Sequence, residues 1–173
     1  MKKSIKFIII FLSAFVIRLL PFRAPNVEPI MASIMPLGKV YGGPMAFIFG
    51  FLSIVLFDSV TSGFGIWTLV TAISYGILGL GAYYYFKNRR GRANYAIYAI
   101  IGTIFYDVVT GLTIGPLFFH QSFTISLIGQ IPFTALHLLG NVSFAIVLSP
   151  VIEKWMVKES RRSVITEKVL LMS

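Results

Sequence analysis

The stretch QIPFTALHLLGNVSFAIVLSPV, residues 130–151, decides how this chain folds. It is apolar enough, and at about 20 residues long enough, to cross a bilayer as a helix. Within it Gln130, Thr134, His137 and Asn141 follow one another at steps of four, three and four, the spacing that stacks side chains on one helix face. Polar groups are costly inside hydrocarbon, so that face must turn into a helix bundle or a wet cavity.

The rest of the composition agrees. Of 173 residues 57% are hydrophobic and only 12% charged, and the mean hydropathy is +0.85. A soluble domain carries about 25% charged residues. The chain therefore reads as an all-α integral membrane protein, with no room for a second sizeable domain. Cysteine is absent, which excludes a disulfide framework and a cysteine metal site. The formal charge of +9 sits mostly between and beyond the apolar runs. That pattern reads as topology and contact with anionic lipid rather than as nucleic-acid binding.

Outward from residues 130–151, the apolar runs predict six spans. The first covers about Ser4 to Leu20; it resembles a secretory signal, but no small-x-small cleavage site follows, so it is read as retained. The second, Pro29 to Leu37, is bounded by prolines and too short for a regular span, which predicts a short or broken helix buried by its neighbours. The others cover Gly43–Phe57, Trp67–Phe86, Tyr95–Val109 and Gln130–Val151, with residues 115–128 as a structured loop or half-buried helix. Residues 1–157 then form one transmembrane domain, and 158–173 a basic tail.

Charge placement orients the bundle. Lys2, Lys3 and Lys6, then Lys87, Arg89, Arg90 and Arg92, then Lys154, Lys158, Arg161 and Arg162 are separated by four and two crossings if the short second helix counts. All lie inside when both termini are cytoplasmic (N-in/C-in). Arg18 and Arg23 fall on the outer side and read as pocket or interface residues. Two outer loops open on related sequence: Phe57-Asp58-Ser59-Val60-Thr61 and Tyr106-Asp107-Val108-Val109-Thr110 share aromatic-Asp-x-Val-Thr. Spans three and five should therefore point the same way, as in the parallel repeats of many transporters.

Several residues carry two readings. The stripe from Gln130 to Asn141 either hydrogen-bonds across helices or lines a cavity for a polar solute, and the cavity is favoured. If the span starts at Gln130, Asn141 lies about 16 Å deep. Asp58 and Asp107 end their spans, where the helix dipole repels an acid; each either opens a loop through an Asx-turn, or contacts substrate or clamps the outer loops. Glu28 pairs with Arg18 or Arg23, or meets substrate. Trp67 belongs to an interfacial aromatic belt or stacks on a flat ligand. Ala72, Gly76, Gly79 and Gly81 let another backbone approach, from within the chain or from another subunit. His120 and His137 lack the spacing of a metal site. No nucleotide-binding loop, nucleophile–base pair or zinc motif is present, so neither a catalytic residue nor a cofactor is assigned.

Asn26-x-Glu28-Pro29-Ile30-Met31-Ala32 to Met35-Pro36-Leu37-Gly38-Lys39, the Asp58 to Trp67-Thr68 loop, Asp107-x-x-Thr110-Gly111 and Phe133-Thr134-x-x-His137-Leu138-x-Gly140-Asn141 together resemble the substrate-binding S components of energy-coupling factor (ECF) vitamin transporters. The resemblance spans about residues 5 to 155. It implies a prokaryotic cytoplasmic-membrane protein that captures a vitamin or related micronutrient in the outer half of its bundle. It also implies docking on a transmembrane coupling (T) component with two cytoplasmic ATPases, which would hydrolyse the ATP. On this reading Glu28, Asp58, Trp67, Asp107, Gln130, Thr134, His137 and Asn141 bind substrate, and Ser13, Ala14, Ala72 and Gly76 are candidates for docking. The motifs choose no particular vitamin. Two other readings stay open, a proton-coupled secondary transporter using Asp58, Asp107 and His137, and a membrane scaffold whose stripe only holds helices together.

Overall fold

A short, wholly buried helix stands at the centre of the bundle. The computed structural model describes residues 3–21 and 28–170, with side chains for 4–21 and 28–157. Its helices are α1 Lys3–Leu19, α2 Ile30–Tyr41, α3 Gly43–Val60, α4 Ile66–Phe86, α5 Arg92–Gly111, the five-residue α6 Ile114–Phe118, and α7 Phe123–Leu170. No strand occurs among the described residues. Four stretches are long and apolar enough to cross a membrane: α3, α4, Arg92–Phe118 and Phe123–Val157. Six main helices, with a short second one, match the expected bundle. Arg23 and Asn26, and the side chains of the expected basic tail, lie outside the described residues. The backbone of α7 itself runs on through residue 170.

Every residue of α2 from Ile30 to Gly38 is buried, because α2 packs against α1, α3, α4, α5 and α7. Pro36 lies inside it. Proline has no N–H, so the carbonyl one turn back, that of Ala32, loses its helical partner. Ser149 on α7 fills the gap, donating from Oγ to the Ala32 carbonyl at 2.8 Å. At the far end Gly42, at φ +91°, turns the chain directly into α3. That left-handed backbone suits glycine.

The small residues of α4 pack internally. Gly76 faces the Phe47 ring and Gly79 the Ala46 carbonyl on α3, while Gly50 on α3 sits against the Tyr75 carbonyl of α4. Ala72 is fully buried and Ala14 nearly so. Of the four docking candidates only Ser13 is exposed. The small-residue stripe is thus taken up inside the chain, Gly76 and Gly79 against α3 and Gly81 against Tyr98 of α5, and the outer surface is a ring of large apolar side chains such as Ile5, Leu12, Ile73, Ile101, Leu139 and Val147. Such a surface suits lipid.

The last helix departs from expectation. It begins at Phe123, two turns before Gln130, and residues 115–128 divide between α6 and the first turns of α7. The cause is local. His120, at φ +52°, closes off α6, and Ser122 then caps α7 by accepting the Ile125 N–H on its Oγ at 3.3 Å. Pro132 consequently sits inside α7.

At the end of the bundle where α2 finishes, Lys39 Nζ lies 2.6 Å from Glu153 Oε1 on α7. Tyr95 of α5 donates to Glu153 Oε2 at 2.7 Å. Buried Lys6 of α1 donates to the carbonyls of Trp155 at 3.0 Å and Met156 at 3.2 Å. Basic residues that the sequence offers as topology signals are here also ties between helices.

Candidate functional site

The two aromatic-Asp-x-Val-Thr motifs build the opposite end of the bundle, and they do so in the same way. Thr61 donates back to the Phe57 carbonyl at 2.7 Å and Thr110 to the Tyr106 carbonyl at 2.8 Å. Asp58 accepts a hydrogen bond from Thr68 on the next helix at 2.6 Å. Asp107 meets His137 on α7, with Nδ1 2.7 Å from Oδ1. Both acids are buried, so neither opens a solvated loop. Each clasps its helix end to a neighbour and turns the preceding aromatic, Phe57 or Tyr106, toward the same cavity.

That cavity has a volume of about 550 Å³ and is walled by the end of α1, Glu28, α3, α5 and α7. Leu19, Pro21 and Thr61 form its exposed rim; Arg18, Glu28 and His137 are its buried polar groups. Arg18 Nε lies 2.9 Å from Glu28 Oε2. The guanidinium also donates to the Ser53 carbonyl at 2.8 Å and covers the Phe57 ring at 3.9 Å. Tyr75 donates to Glu28 Oε1 at 2.8 Å and packs on Tyr106 at 4.5 Å between ring centres. A buried pair needs such added hydrogen bonds to offset its desolvation. Within this pair the two charges offset each other.

His137 is 2% exposed. Tyr106 and Phe133 meet its ring edge-on at 5.6 and 5.7 Å. Its Nε2 has no hydrogen-bond partner among the described residues, and neither do Asp107 Oδ2 and Asn141 Oδ1. Few native buried polar atoms are left so.

The predicted site residues divide. Glu28 and His137 line the cavity, and Asp107 stands behind His137. Asn141 donates to Thr103 of α5 at 2.8 Å. Gln130 donates to Thr134 at 3.2 Å and lies against Gly111. The stripe is thus mainly a polar seam between α7 and α5, with His137 alone reaching the cavity wall. Trp67 stacks on Phe119 at 6.4 Å and Asp58 is taken up by Thr68; neither is part of the wall. The sequence reading missed Tyr75 and the cavity roles of Phe57, Tyr106 and Phe133. Phe57 and Tyr106 are the leading positions of the repeated motif, which was the available signal.

Fold and cavity define a multi-pass helical membrane protein with an internal site large enough for a vitamin-sized ligand, since such sites run from about 300 to 1,000 Å³. Over residues 5–113 the chain matches the family described as ECF-type riboflavin transporter, S component, and it belongs to that family. It is accordingly a substrate-specific subunit of a membrane transporter and not an enzyme. Helices α6 and α7, with His137, lie beyond the matched residues. No curated protein and no solved structure matches the chain.

Proposed function

We propose that the protein captures riboflavin, or a close flavin, in the cavity between α1, α3, α5 and α7. The observation that carries this is the cavity itself. Its volume is about 550 Å³, with aromatic faces at Phe57, Tyr106 and Phe133 and polar groups at Glu28, Arg18 and His137. Flat rings bind well against aromatic faces, and a sugar-alcohol chain needs polar partners at one end. The family match adds the vitamin's name. Asp107, Asn141, Gln130 and Thr134 support the wall from behind; Asp58 and Trp67 order the loops beside it.

In this proposal the chain lies in a prokaryotic cytoplasmic membrane with both termini inside, as its basic clusters favour. The cavity then opens outward, residues 1–157 form the substrate-binding domain and 158–173 a cytoplasmic tail on anionic lipid. Transport is powered by a T component and two ATPases, and the chain needs no cofactor of its own. The exposed side of α1, with Ser13, is the docking face.

The test is titration of the purified full chain with riboflavin, followed by quenching of flavin fluorescence, with thiamine and biotin as controls. Saturable binding of riboflavin alone is expected; preference for another vitamin overturns the reading. Uptake by cells that follows the proton gradient and ignores ATP would instead favour a secondary transporter.

A further inference from the structure

We infer that His137 is the residue that reads the ring imide of the flavin, accepting its N–H on Nε2, and that Asp107 is the positioning residue that keeps Nε2 an acceptor. This rests on the flavin reading above and specifies which ligand atom the histidine meets.

The argument starts from the proton. A carboxylate only accepts, so at 2.7 Å from Asp107 Oδ1 the His137 Nδ1 carries the hydrogen. In the neutral imidazole the lone pair is then on Nε2. That atom is buried, has no partner among the described residues, and belongs to a side chain that lines the cavity. A buried acceptor left unmatched costs about 1–3 kcal/mol, so a ligand that brings a donor there gains selectively. Of a flavin's donors, the imide N–H lies on the rigid ring edge and the hydroxyls on the flexible chain. The surroundings of Nε2 favour the ring. Tyr106 and Phe133 flank the imidazole edge-on at 5.6 and 5.7 Å, so its nearest cavity-lining neighbours are aromatic rings. The charged groups Arg18 and Glu28, with Thr61, supply polar partners elsewhere on the wall.

The charged and titratable groups that share the cavity with His137 or stand behind its walls come from four elements and from Glu28, two residues ahead of α2. Asp107 and Tyr106 belong to α5, Arg18 to α1, Asp58 to α3 and Tyr75 to α4, with Glu28 just ahead of α2. Of these Asp107 alone touches the imidazole with a polar atom. Replacing Asp107 by Asn puts an amide N–H opposite Nδ1 and moves the histidine proton to Nε2, as happens when the triad aspartate of a serine protease is changed to Asn.

The experiment compares riboflavin with N3-methylriboflavin, which lacks the imide N–H, on the purified full chain. The wild-type protein should bind the methylated flavin about tenfold or more weakly. In His137→Phe that ratio should fall toward one, mainly because riboflavin itself binds less well. Asp107→Asn should shrink the ratio too while its melting temperature is followed separately. A stability role alone would weaken both flavins equally and leave the ratio intact. Equal binding of the two flavins by the wild-type protein overturns the inference without needing any variant, and so does a ratio that survives in His137→Phe. If neither flavin binds, the flavin reading falls and the inference with it.

Discussion

Ser149 on α7 and Ala32 on α2 are joined by a 2.8 Å hydrogen bond to a carbonyl that Pro36 leaves without its helical partner. A defect in one helix is thereby converted into a tie to another. Ser149→Ala should cost about 0.5–1.5 kcal/mol in detergent, read from thermal unfolding. In a Pro36→Ala background the lost N–H is restored, and the same change should cost less. Equal costs in the two backgrounds would show that the bond does not serve this purpose.

A close helix contact should tolerate an added methyl group poorly. A Cβ at Gly50 would stand 2.6 Å from the Tyr75 carbonyl oxygen, a backbone atom that cannot move aside alone, whereas one at Gly129 meets open space. Gly50→Ala should destabilise the bundle by about 1–3 kcal/mol. Gly129→Ala should be neutral or slightly stabilising, since alanine is the better helix former. Melting temperatures of the two variants side by side decide it.

Two neighbours on the same face of α7 should behave oppositely. Asn141→Leu removes the hydrogen bond to Thr103, so thermal stability should fall by about 0.5–1.5 kcal/mol with riboflavin affinity little changed. His137→Phe should lose affinity instead. If Asn141→Leu abolishes binding in a folded protein, the seam between α5 and α7 is itself part of the ligand site.

The ion pair at the other end has a different signature. Lys39 and Glu153 have side chains 15% and 24% exposed. Glu153→Gln leaves the lysine without its counter-charge and should cost about 1–2 kcal/mol, less than for a fully buried pair because water screens part of it. Lys39→Met with Glu153→Met should recover most of that loss. Flavin affinity should be unmoved throughout, because the pair lies at the far end of α2 from Glu28.

Much of this architecture was legible from residue spacing. Three prolines around a nine-residue apolar piece predicted a short buried helix, and α2 is one, extended to Tyr41 because Gly42 rather than Leu37 supplies the stop. The repeat of aromatic-Asp-x-Val-Thr predicted two equivalent helix ends, and their hydrogen bonds match. Period alone shows which residues share a face, not what that face meets. The complement to Gln130, His137 and Asn141 was present as Thr103, Asp107 and Gly111 at four-residue steps, but pairing the stripes needed the packing of α5 on α7. The start of α7 was hidden because one serine cap separates two apolar aromatic stretches. Trp67 could not be placed without α6, which delivers Phe119 to its ring.

The central helix also constrains how the bundle holds together. Twelve residues of α2 rise about 18 Å, well short of the ~30 Å of hydrocarbon that a self-sufficient span must cross. It cannot be held in the bilayer by its own greasy length, and no lipid touches its buried core. Its place in the bundle therefore depends on the longer helices α1, α3, α4, α5 and α7 that wall the slot it fills. The chain leading into it brings Glu28 to Tyr75 and Arg18, so the cavity wall is complete only when α2 is seated.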